Sequence, residues 1–232
     1  MGKDVIIACD FAGKAPCLSF LDQFTDKKPF VKIGMELFYA EGPAMVRELK
    51  ARGHQIFLDL KLHDIPNTVE KAMAALSALD VDMCNVHAGG TVAMMEAALR
   101  GLTRPDGSRP LLIAVTQLTS TSEERMRKDL LIDQPMEEVV RWYAKNALTA
   151  GLDGVVCSPL EAEKVKKACG ADFLTVTPGV RFADGDVGDQ VRVTTPAGAK
   201  ALGSDYIVVG RPITQAPDPV AAYERCLAEF TD

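Results

Sequence analysis

The sequence predicts a single α/β domain of the (β/α)8 barrel class, the TIM barrel, spanning residues 1–232. Three observations indicate this fold: short apolar runs recur eight times, helical patterns lie between them, and glycine–aspartate joints precede three of the later runs. Eight strand–helix units with continuously apolar strands form a parallel sheet covered by helices, and eight strands can close into a barrel. An open doubly wound sheet is the alternative, but no GxGxxG motif follows any run, and polar residues follow nearly all of them.

The eight apolar runs are the predicted strands. They are short, and most contain the β-branched residues that favour strands. In chain order they are Val5–Ala8, Phe30–Ile33, Ile56–Leu60, Met83–Val86, Leu111–Val115, Gly154–Val156, Phe173–Val176 and Ile207–Val209.

The segments between the strands have a helical pattern. Apolar residues repeat there at a spacing of three to four, which gives each helix one buried face. One such set is Val92, Met95, Leu99 and Leu102, and another is Met136, Val139, Val140, Tyr143 and Ala147. Each glycine–aspartate joint places a helix-ending glycine before a strand. Because Asp153, Asp172 and Asp205 precede their strands, we assign them to stability.

The composition favours a small-molecule partner. With 47% hydrophobic and 25% charged residues, the chain has an ordinary globular makeup, and its net charge of −6 comes without a basic cluster that would suit nucleic acid or an anionic membrane. The six cysteines form no CxxC pair, so we expect reduced, packed thiols. No basic start with a long apolar stretch opens the chain, and no apolar run has the length of a membrane span, so we expect a cytoplasmic protein.

The longest polar insertion follows the seventh strand. It covers residues 182–193 and contains Gly185, Gly188 and four acidic or amide side chains. Such a segment is more typical of a mobile lid than of a regular element.

The candidate catalytic residues are Asp59 and Lys61. Barrel enzymes react at the carboxyl ends of their strands, and these two residues end the third strand. Since they are two apart, their side chains point to the same side, which we expect to be the barrel interior. A buried pair of charges is either a structural ion pair or functional, and perturbed charges cluster at functional sites. Lys32, one strand earlier, could extend the network.

Asp64 has two interpretations. Pro66 fits a helix N-terminus, so Asp64, Asn67 or Thr68 could cap that helix. Its position three residues after Lys61 favours a functional role instead. The histidines are less informative: His87 could be a substrate contact or a core residue, and we expect His54 at the surface.

The seventh and eighth strands predict a phosphate site. They end in Pro178-Gly179-Val180-Arg181 and Gly210-Arg211-Pro212. These strands often supply a phosphate site in barrels, where glycine lets backbone N–H groups approach an anion and arginine adds a two-pronged contact.

Together these residues resemble the orotidine 5'-phosphate decarboxylase family over nearly the whole chain. The most specific part is Asp59-Leu-Lys61-Leu-His-Asp64-Ile-Pro-Asn-Thr68, where the charge spacing and the Ile-Pro-Asn-Thr tail occur together. Supporting segments are Asp10 after the first strand, Val31-Lys32-Ile33-Gly34, Leu118-Thr119-Ser120, and the ends of the last two strands.

The resemblance implies a homodimeric enzyme without a cofactor or metal, which converts orotidine 5'-phosphate to uridine 5'-phosphate. It implies that Lys61 protonates C6 of the pyrimidine and is flanked by Asp59 and by Asp64 of the partner subunit. It also implies substrate contacts for the remaining site residues. Lys32, Asp10 and Thr68 of the partner subunit would hold the ribose, Thr119 or Ser120 the pyrimidine, and Gln190, Gly210, Arg211 and Arg181 the phosphate.

Two other functions compete with this one. A sugar-phosphate decarboxylase or aldol-type lyase shares the Asp-x-Lys-x-x-Asp pattern but works through magnesium and an enediolate. The Leu-Thr-Ser segment and the long lid favour the nucleotide. A phosphate-ligand sensor without catalysis has no need for Lys61 between two carboxylates.

Overall fold

The computed structural model describes residues 3–183 and 193–231. Its eight parallel strands pair in chain order, and the eighth closes on the first, so the predicted barrel is confirmed. The strands are β1 (Asp4–Ala8), β2 (Phe30–Gly34), β3 (Ile56–Leu62), β4 (Met83–His87), β5 (Leu111–Val115), β6 (Gly154–Val156), β7 (Leu174–Thr177) and β8 (Tyr206–Val209).

Helices separate the strands and cover the outside of the barrel. The second helix is kinked at Gly42, whose φ of 66° lies in the left-handed region and is followed by Pro43. Over the described residues the helices are α1 (Lys14–Leu21), α2 (Met35–Ala51), α3 (Pro66–Ser77), α4 (Thr91–Leu102), α5 (Glu123–Leu130), α6 (Met136–Thr149), α7 (Pro159–Cys169), α8 (Pro196–Ala201), α9 (Arg211–Thr214) and α10 (Pro219–Thr231).

The core has two parts because successive strand residues point to opposite faces. In β1, Val5 and Ile7 point outward into the large cluster between strands and helices, whereas Ile6 points into the barrel. The inner cluster fills the barrel with side chains from most strands, among them Phe30, Phe57, Met83, Ile113, Val176, Tyr206 and Val208. The barrel interior is therefore a packed core and not an open channel.

The aspartates before β6 and β8 stabilise the amino-terminal end of the barrel, as expected. Asp153 accepts a hydrogen bond from the Leu112 backbone N–H at 2.7 Å and pairs with Arg109. Asp205 accepts one from the Thr175 N–H at 2.7 Å and pairs with Lys166 at 2.6 Å. These contacts tie neighbouring strands together at the end opposite to the catalytic candidates.

His54 corrects one expectation. It is buried, and its Nδ1 lies 3.0 Å from the Pro29 carbonyl oxygen, so the prediction of a surface residue was wrong. Burial lowers the pKa of His54, which keeps the ring neutral and suited to the interior. The turn after α2 places the His54 ring against Pro29, which immediately precedes β2. The polarity of the neighbouring residues in the sequence does not predict this buried position.

The six cysteines are free thiols, and five of them are buried, while Cys169 is half-buried. Burial raises the pKa of Cys84 to about 12 and that of Cys226 to about 12, so both stay protonated and unreactive. Across the described ranges no helix combines the length and the apolar character that a membrane span requires.

The segment predicted to be a lid lies mostly outside the described residues, which stop at Ala183 and resume at Val193. Its two ends are joined. Val180 and Thr194 form a parallel bridge, the Arg181 N–H donates to the Thr194 carbonyl at 2.9 Å, and the Thr194 N–H donates to the Gly179 carbonyl at 3.2 Å. The described residues on either side of this segment therefore lie together at the carboxyl end of β7.

Candidate active site

A cavity of about 270 Å³ opens at the carboxyl ends of the strands. Its floor is apolar, because Phe57 and Val208 belong both to the cavity wall and to the inner core of the barrel. Its polar side combines charged residues from β2 and β3 with the segment after β5. The lining residues are Lys32, Phe57, Asp59, Lys61, Val115, Gln117, Leu118, Thr119, Ser120, Val156, Cys157, Pro178 and Val208.

The charged side of the cavity is an alternating array of lysines and carboxylates. Lys61 Nζ lies 2.6 Å from Oδ1 of Asp59, and Lys32 Nζ lies 3.4 Å from its Oδ2. Lys32 also donates to Oδ1 of Asp10 at 3.0 Å. Asp59 is therefore held between two ammonium groups, and Lys32 extends the Asp59–Lys61 pair to Asp10.

Burial and the neighbouring charges shift the pKa values of Asp59 and Lys32 in opposite directions. Burial alone would raise the pKa of Asp59, but the Lys32 and Lys61 charges, with hydrogen bonds from Lys61 and Asn85, hold it below the usual 3.8. Burial would likewise lower the pKa of Lys32, but Asp59 and Asp10 raise it above 10.5. Asp59 and Lys32 are thus both charged at neutral pH, although Asp59 is buried and the Lys32 side chain is only 11% exposed.

Gly34 gives the array the space it needs. It ends β2, and a methyl group in place of its hydrogen would lie 3.0 Å from Lys32 Nζ and 3.2 Å from Oδ1 of Asp10. Both atoms belong to one ion pair, so the methyl group could be accommodated only by shifting that pair. A glycine at this position lets the lysine and the aspartate meet.

Lys61 sits at an irregularity of β3. The pairing with β4 shifts register between Leu58 and Leu62, and Lys61 has a φ of 50°, in the left-handed region. Such a conformation is unfavourable for a residue with a side chain, and backbone strain of this kind is concentrated at functional sites. Side-chain alternation alone predicted the Asp59–Lys61 pairing, but not this bulge.

Two residues of the site were missed by sequence reasoning. Asn85, in β4, is fully buried and hydrogen bonds to both Asp59 and Lys61. Gln117, two residues after Val115, is buried and lines the cavity. An amide inside or just after a buried parallel strand is the signal that could have found them, because buried polar groups need partners.

The pyrimidine-binding candidates also reach the cavity. Thr119 and Ser120 both line it, on the side formed by the segment after β5. Thr116, just before them, anchors this segment, since its Oγ1 donates to the Val156 carbonyl at 2.9 Å. Thr119 and Ser120 therefore border the same space as the charged array.

Asp64 and Thr68 do not line this cavity. Both are exposed, and the Asp64 carboxylate accepts a hydrogen bond from the adjacent Ile65 N–H at 2.6 Å. Helix α3 does begin at Pro66, but its N-cap is Ile65 and no side chain caps it, so the capping interpretation of Asp64 was wrong. The carboxylate is exposed at the surface, beside the start of α3.

Two histidines stand beside the array. The rings of His63 and His87 stack with 5.6 Å between centroids and 12° between planes. His87 is half-buried, and its Nδ1 accepts from the Gly89 N–H at 3.2 Å. Burial, followed by the nearby His63 and Lys61, lowers the pKa of His87, so its ring is neutral at pH 7.

The phosphate candidates follow β7 and β8, at the same end of the barrel. Arg181 follows Val180 and donates from its Nη1 to the Val180 carbonyl at 2.8 Å. Gly210 precedes the short helix α9, in which Arg211 is the first residue and is exposed. Gln190 lies outside the described residues. A phosphate role for these four residues stays a prediction.

Fold and site together define a class: a (β/α)8 barrel with an aspartate clamped between two lysines at the mouth of an apolar cavity, without a glycine-rich dinucleotide motif. Comparison with known proteins narrows this class. The model of the Orotidine 5'-phosphate decarboxylase / HUMPS family matches residues 3–226. The chain belongs to this family.

Similar proteins agree with this assignment. Orotidine 5'-phosphate decarboxylases of Bacillus anthracis and Bacillus cytotoxicus are 57% and 58% identical over 227 residues, covering 97% of this chain and 95% of each relative. A solved orotidine 5'-phosphate decarboxylase from Lactobacillus acidophilus superimposes with a TM-score of 0.89 at 44% identity, over 99% of this chain and 100% of that one. An uncharacterised conserved protein from Geobacillus kaustophilus has a TM-score of 0.87 at 49% identity, over 97% of this chain and 99% of that one.

Proposed function

We propose that this protein is a carboxy-lyase that converts orotidine 5'-phosphate to uridine 5'-phosphate and carbon dioxide, a step of pyrimidine nucleotide synthesis. The observation that carries the proposal is the Lys32–Asp59–Lys61 array at the mouth of the cavity. The family membership and the relatives named above support the same reaction.

The reaction needs electrostatic stabilisation at one carbon atom. When the bond between C6 and the carboxylate breaks, the electron pair stays on C6 as a vinyl carbanion without an adjacent electron sink. Preorganised charge is the main means by which an enzyme stabilises such a centre. In the proposal, the Lys61 ammonium stabilises the carbanion and transfers a proton to C6, and solvent then reprotonates the amine. No cofactor enters this sequence.

Asp59 has two roles in this mechanism. It holds the Lys61 ammonium, from which it is 2.6 Å away. It also lies beside the place of the substrate carboxylate, where two like charges about 3 Å apart repel by about 5 kcal/mol at an effective dielectric of about 20. The repulsion disappears as carbon dioxide leaves, so it favours the forward step. Because its pKa is held below the usual range, Asp59 supplies this charge at neutral pH.

The remaining residues bind the nucleotide. We assign the ribose to Lys32 and Asp10, the pyrimidine to Thr119 or Ser120, and the phosphate to Gly210 and Arg211 with Arg181. Gln190 would add a phosphate contact from the segment over residues 182–193. The phosphate is remote from C6, so its binding energy can drive closure of this segment and raise the rate of the chemical step.

The exposed position of Asp64 supports a composite site. A carboxylate that faces outward from the end of β3 can serve a second copy of the chain, together with Thr68. Large apolar side chains are exposed in the same part of the structure: Ile65, the next residue, is 65% exposed, and Tyr39, which is 73% exposed, lines a groove with Leu62 and His63. Exposed apolar surface of this kind is typical of an interface. We therefore propose a two-fold homodimer in which each site uses Asp64 of the partner subunit.

The proposal also gives a location. Six unpaired thiols suit a reducing compartment, which supports the cytoplasm.

An ultraviolet assay tests the proposed reaction. Purified protein is mixed with orotidine 5'-phosphate, and conversion to uridine 5'-phosphate is followed by absorbance, with Lys61→Ala as the negative control. A parallel reaction contains a chelator, because a magnesium-dependent lyase of the kind considered above would lose its activity there. No turnover by well-folded protein contradicts the proposal, and so does complete inhibition by the chelator.

A further inference from the structure

Asn85 connects the two central residues of the site without touching the cavity. It lies in the middle of β4, is 0% exposed, and is not among the residues that line the cavity. Its Nδ2 donates to Oδ1 of Asp59 at 2.7 Å. Its Oδ1 accepts from the Lys61 backbone N–H at 2.8 Å. One amide side chain on the neighbouring strand thus holds both an acid and a backbone group of β3.

The orientation of this amide is determined by its partners. Asp59 is ionised and offers only acceptors, whereas the Lys61 N–H offers only a donor, so a flipped amide would lose both bonds. Both bonds are made by a fully buried side chain, and leaving either partner unsatisfied there is costly.

The hydrogen bond from Asn85 to Asp59 fixes which partners each oxygen of the carboxylate has. Oδ1 receives Asn85 at 2.7 Å and Lys61 at 2.6 Å, while Oδ2 faces Lys32 at 3.4 Å. A carboxylate held by the lysines alone could rotate, because both are long, flexible cations. The rigid amide removes this freedom.

The bond to Lys61 maintains the irregular backbone. The ordinary ladder between β3 and β4 is interrupted between Leu58 and Leu62, which is where Lys61 adopts its φ of 50°. The Asn85 side chain replaces the missing ladder acceptor for the Lys61 N–H. Without it, a residue with a side chain would relax out of the left-handed region and carry the ammonium with it.

We propose that Asn85 is a positioning residue for the decarboxylation: it sets the orientation of the Asp59 carboxylate and the backbone conformation that aims the Lys61 ammonium. The inference rests on the proposed function for its catalytic consequence. Its structural part concerns the empty site and can be tested without substrate.

The experiment compares three variants with the wild type. Asn85→Ala removes both hydrogen bonds, and Asn85→Asp keeps the size and the acceptor for Lys61 but loses the donor to Asp59. Ser77→Ala is the matched control, since Ser77 is also buried and donates to the Leu102 carbonyl at 2.9 Å, far from the site. Kinetics are measured against pH, and the free proteins are titrated by carbon-13 NMR of the aspartate carboxyls, with the Asp59 signal assigned through Asp59→Asn.

We expect Asn85→Ala to lower kcat by about tenfold or more, with a smaller change in KM, because Asn85 contacts no substrate. The Asp59 pKa should rise, since a hydrogen bond that favours the charged form is lost. Asn85→Asp should lose kcat as the pH rises and the added carboxylate ionises beside Asp59, an alkaline fall that the wild type lacks. Ser77→Ala should lose stability while keeping its kcat.

Several results would overturn the inference. Wild-type kcat in Asn85→Ala, or an unchanged Asp59 pKa, would show that the amide only fills space. If Asn85→Ala does not fold, the Asn85→Asp variant provides the test. A kcat of Asn85→Asp with the same pH dependence as the wild type would reject the positioning role of Asn85. If the wild type does not turn over orotidine 5'-phosphate, the proposed function fails, whereas the Asp59 titration still tests whether Asn85 controls this carboxylate.

Discussion

The Nζ of Lys61 lies 2.6 Å from the Oδ1 of Asp59, a residue two positions earlier on the same strand. The pairing brings an ammonium group to the mouth of an apolar cavity and holds it at one place. Because Lys61 is 30% exposed while Asp59 is 10% exposed, the cation faces the open space and the anion lies behind it. The arrangement presents a fixed positive charge to whatever enters.

Lys61→Ala should abolish decarboxylation while product-like nucleotides still bind. The ammonium matters most when charge develops on C6, so its loss affects the transition state more than the ground state. Turnover is followed by absorbance and binding of uridine 5'-phosphate by calorimetry. Lys50→Ala is the control, because Lys50 pairs with Asp82 away from the site. Substantial residual turnover in Lys61→Ala would contradict the assigned role.

Asp59→Asn should destabilise the protein in a pH-dependent way. It leaves Lys32 and Lys61 without their shared partner, which we expect to cost about 3 kcal/mol at pH 7, the lower end for a broken buried pair because Lys61 is partly exposed. The folded pKa of Asp59 lies below its unfolded value, so its stabilising effect is complete above 3.8 and is lost as the pH falls through the folded pKa.

Urea unfolding of wild type and Asp59→Asn between pH 7 and pH 3 measures this effect. The difference between their free energies of unfolding should stay constant from pH 7 to about pH 5 and shrink below about pH 4. A difference that grows on acidification would show that the carboxylate is not held in its charged form.

Gly34→Ala should lower activity without unfolding the protein. The added methyl group would meet Lys32 Nζ at 3.0 Å and Asp10 at 3.2 Å, so these side-chain ends must shift by a few tenths of an ångström, which disturbs their ion pair. Gly13→Ala is the matched control, since its methyl group would meet only the end of the Glu41 side chain, at 3.1 Å. Equal kcat/KM for Gly34→Ala and the wild type would show that the array tolerates displacement of Lys32.

Arg211→Ala should weaken binding of the phosphorylated substrate strongly and barely affect the slow turnover of the unphosphorylated nucleoside. A charge-assisted contact to phosphate is lost in the first case and does not exist in the second. Comparing kcat/KM for both substrates measures the effect, with Arg100→Ala as a control because Arg100 pairs with Glu70 on the helical surface. If both substrates suffer equally, Arg211 has a structural role.

Mixed dimers test the composite site. Lys61→Ala and Asp64→Asn should each be nearly inactive as homodimers, since every site then lacks one member of the cluster. Unfolding and refolding them together in equal amounts gives about half hybrids by random pairing. Each hybrid has one doubly defective site and one intact site, so activity should rise to about a quarter of wild type. Hybrids confirmed by mass but inactive would place Asp64 in its own subunit's site.

The sequence predicted the barrel well because its strands are locally distinct. All eight apolar runs became strands, since β-branched runs between helical patterns have few other stable arrangements. Asp59 and Lys61 were predictable because side-chain alternation follows from backbone geometry. Asn85 was not, since its role depends on the register between β3 and β4, which local sequence does not encode. The burial of His54 and the missing cap on α3 likewise depend on how separate segments pack.

The shared position of Phe57 and Val208, at once floor of the cavity and part of the inner core, limits how this protein can evolve. A substitution there that reshapes the site for another ligand also opens a void or a clash in the middle of the barrel. Thr119, Ser120 and Pro178, which follow β5 and β7, line the cavity without belonging to either core cluster, and they can change without disturbing the interior. New specificities in this lineage should therefore arise from the rim of the barrel, while its base is inherited almost unaltered.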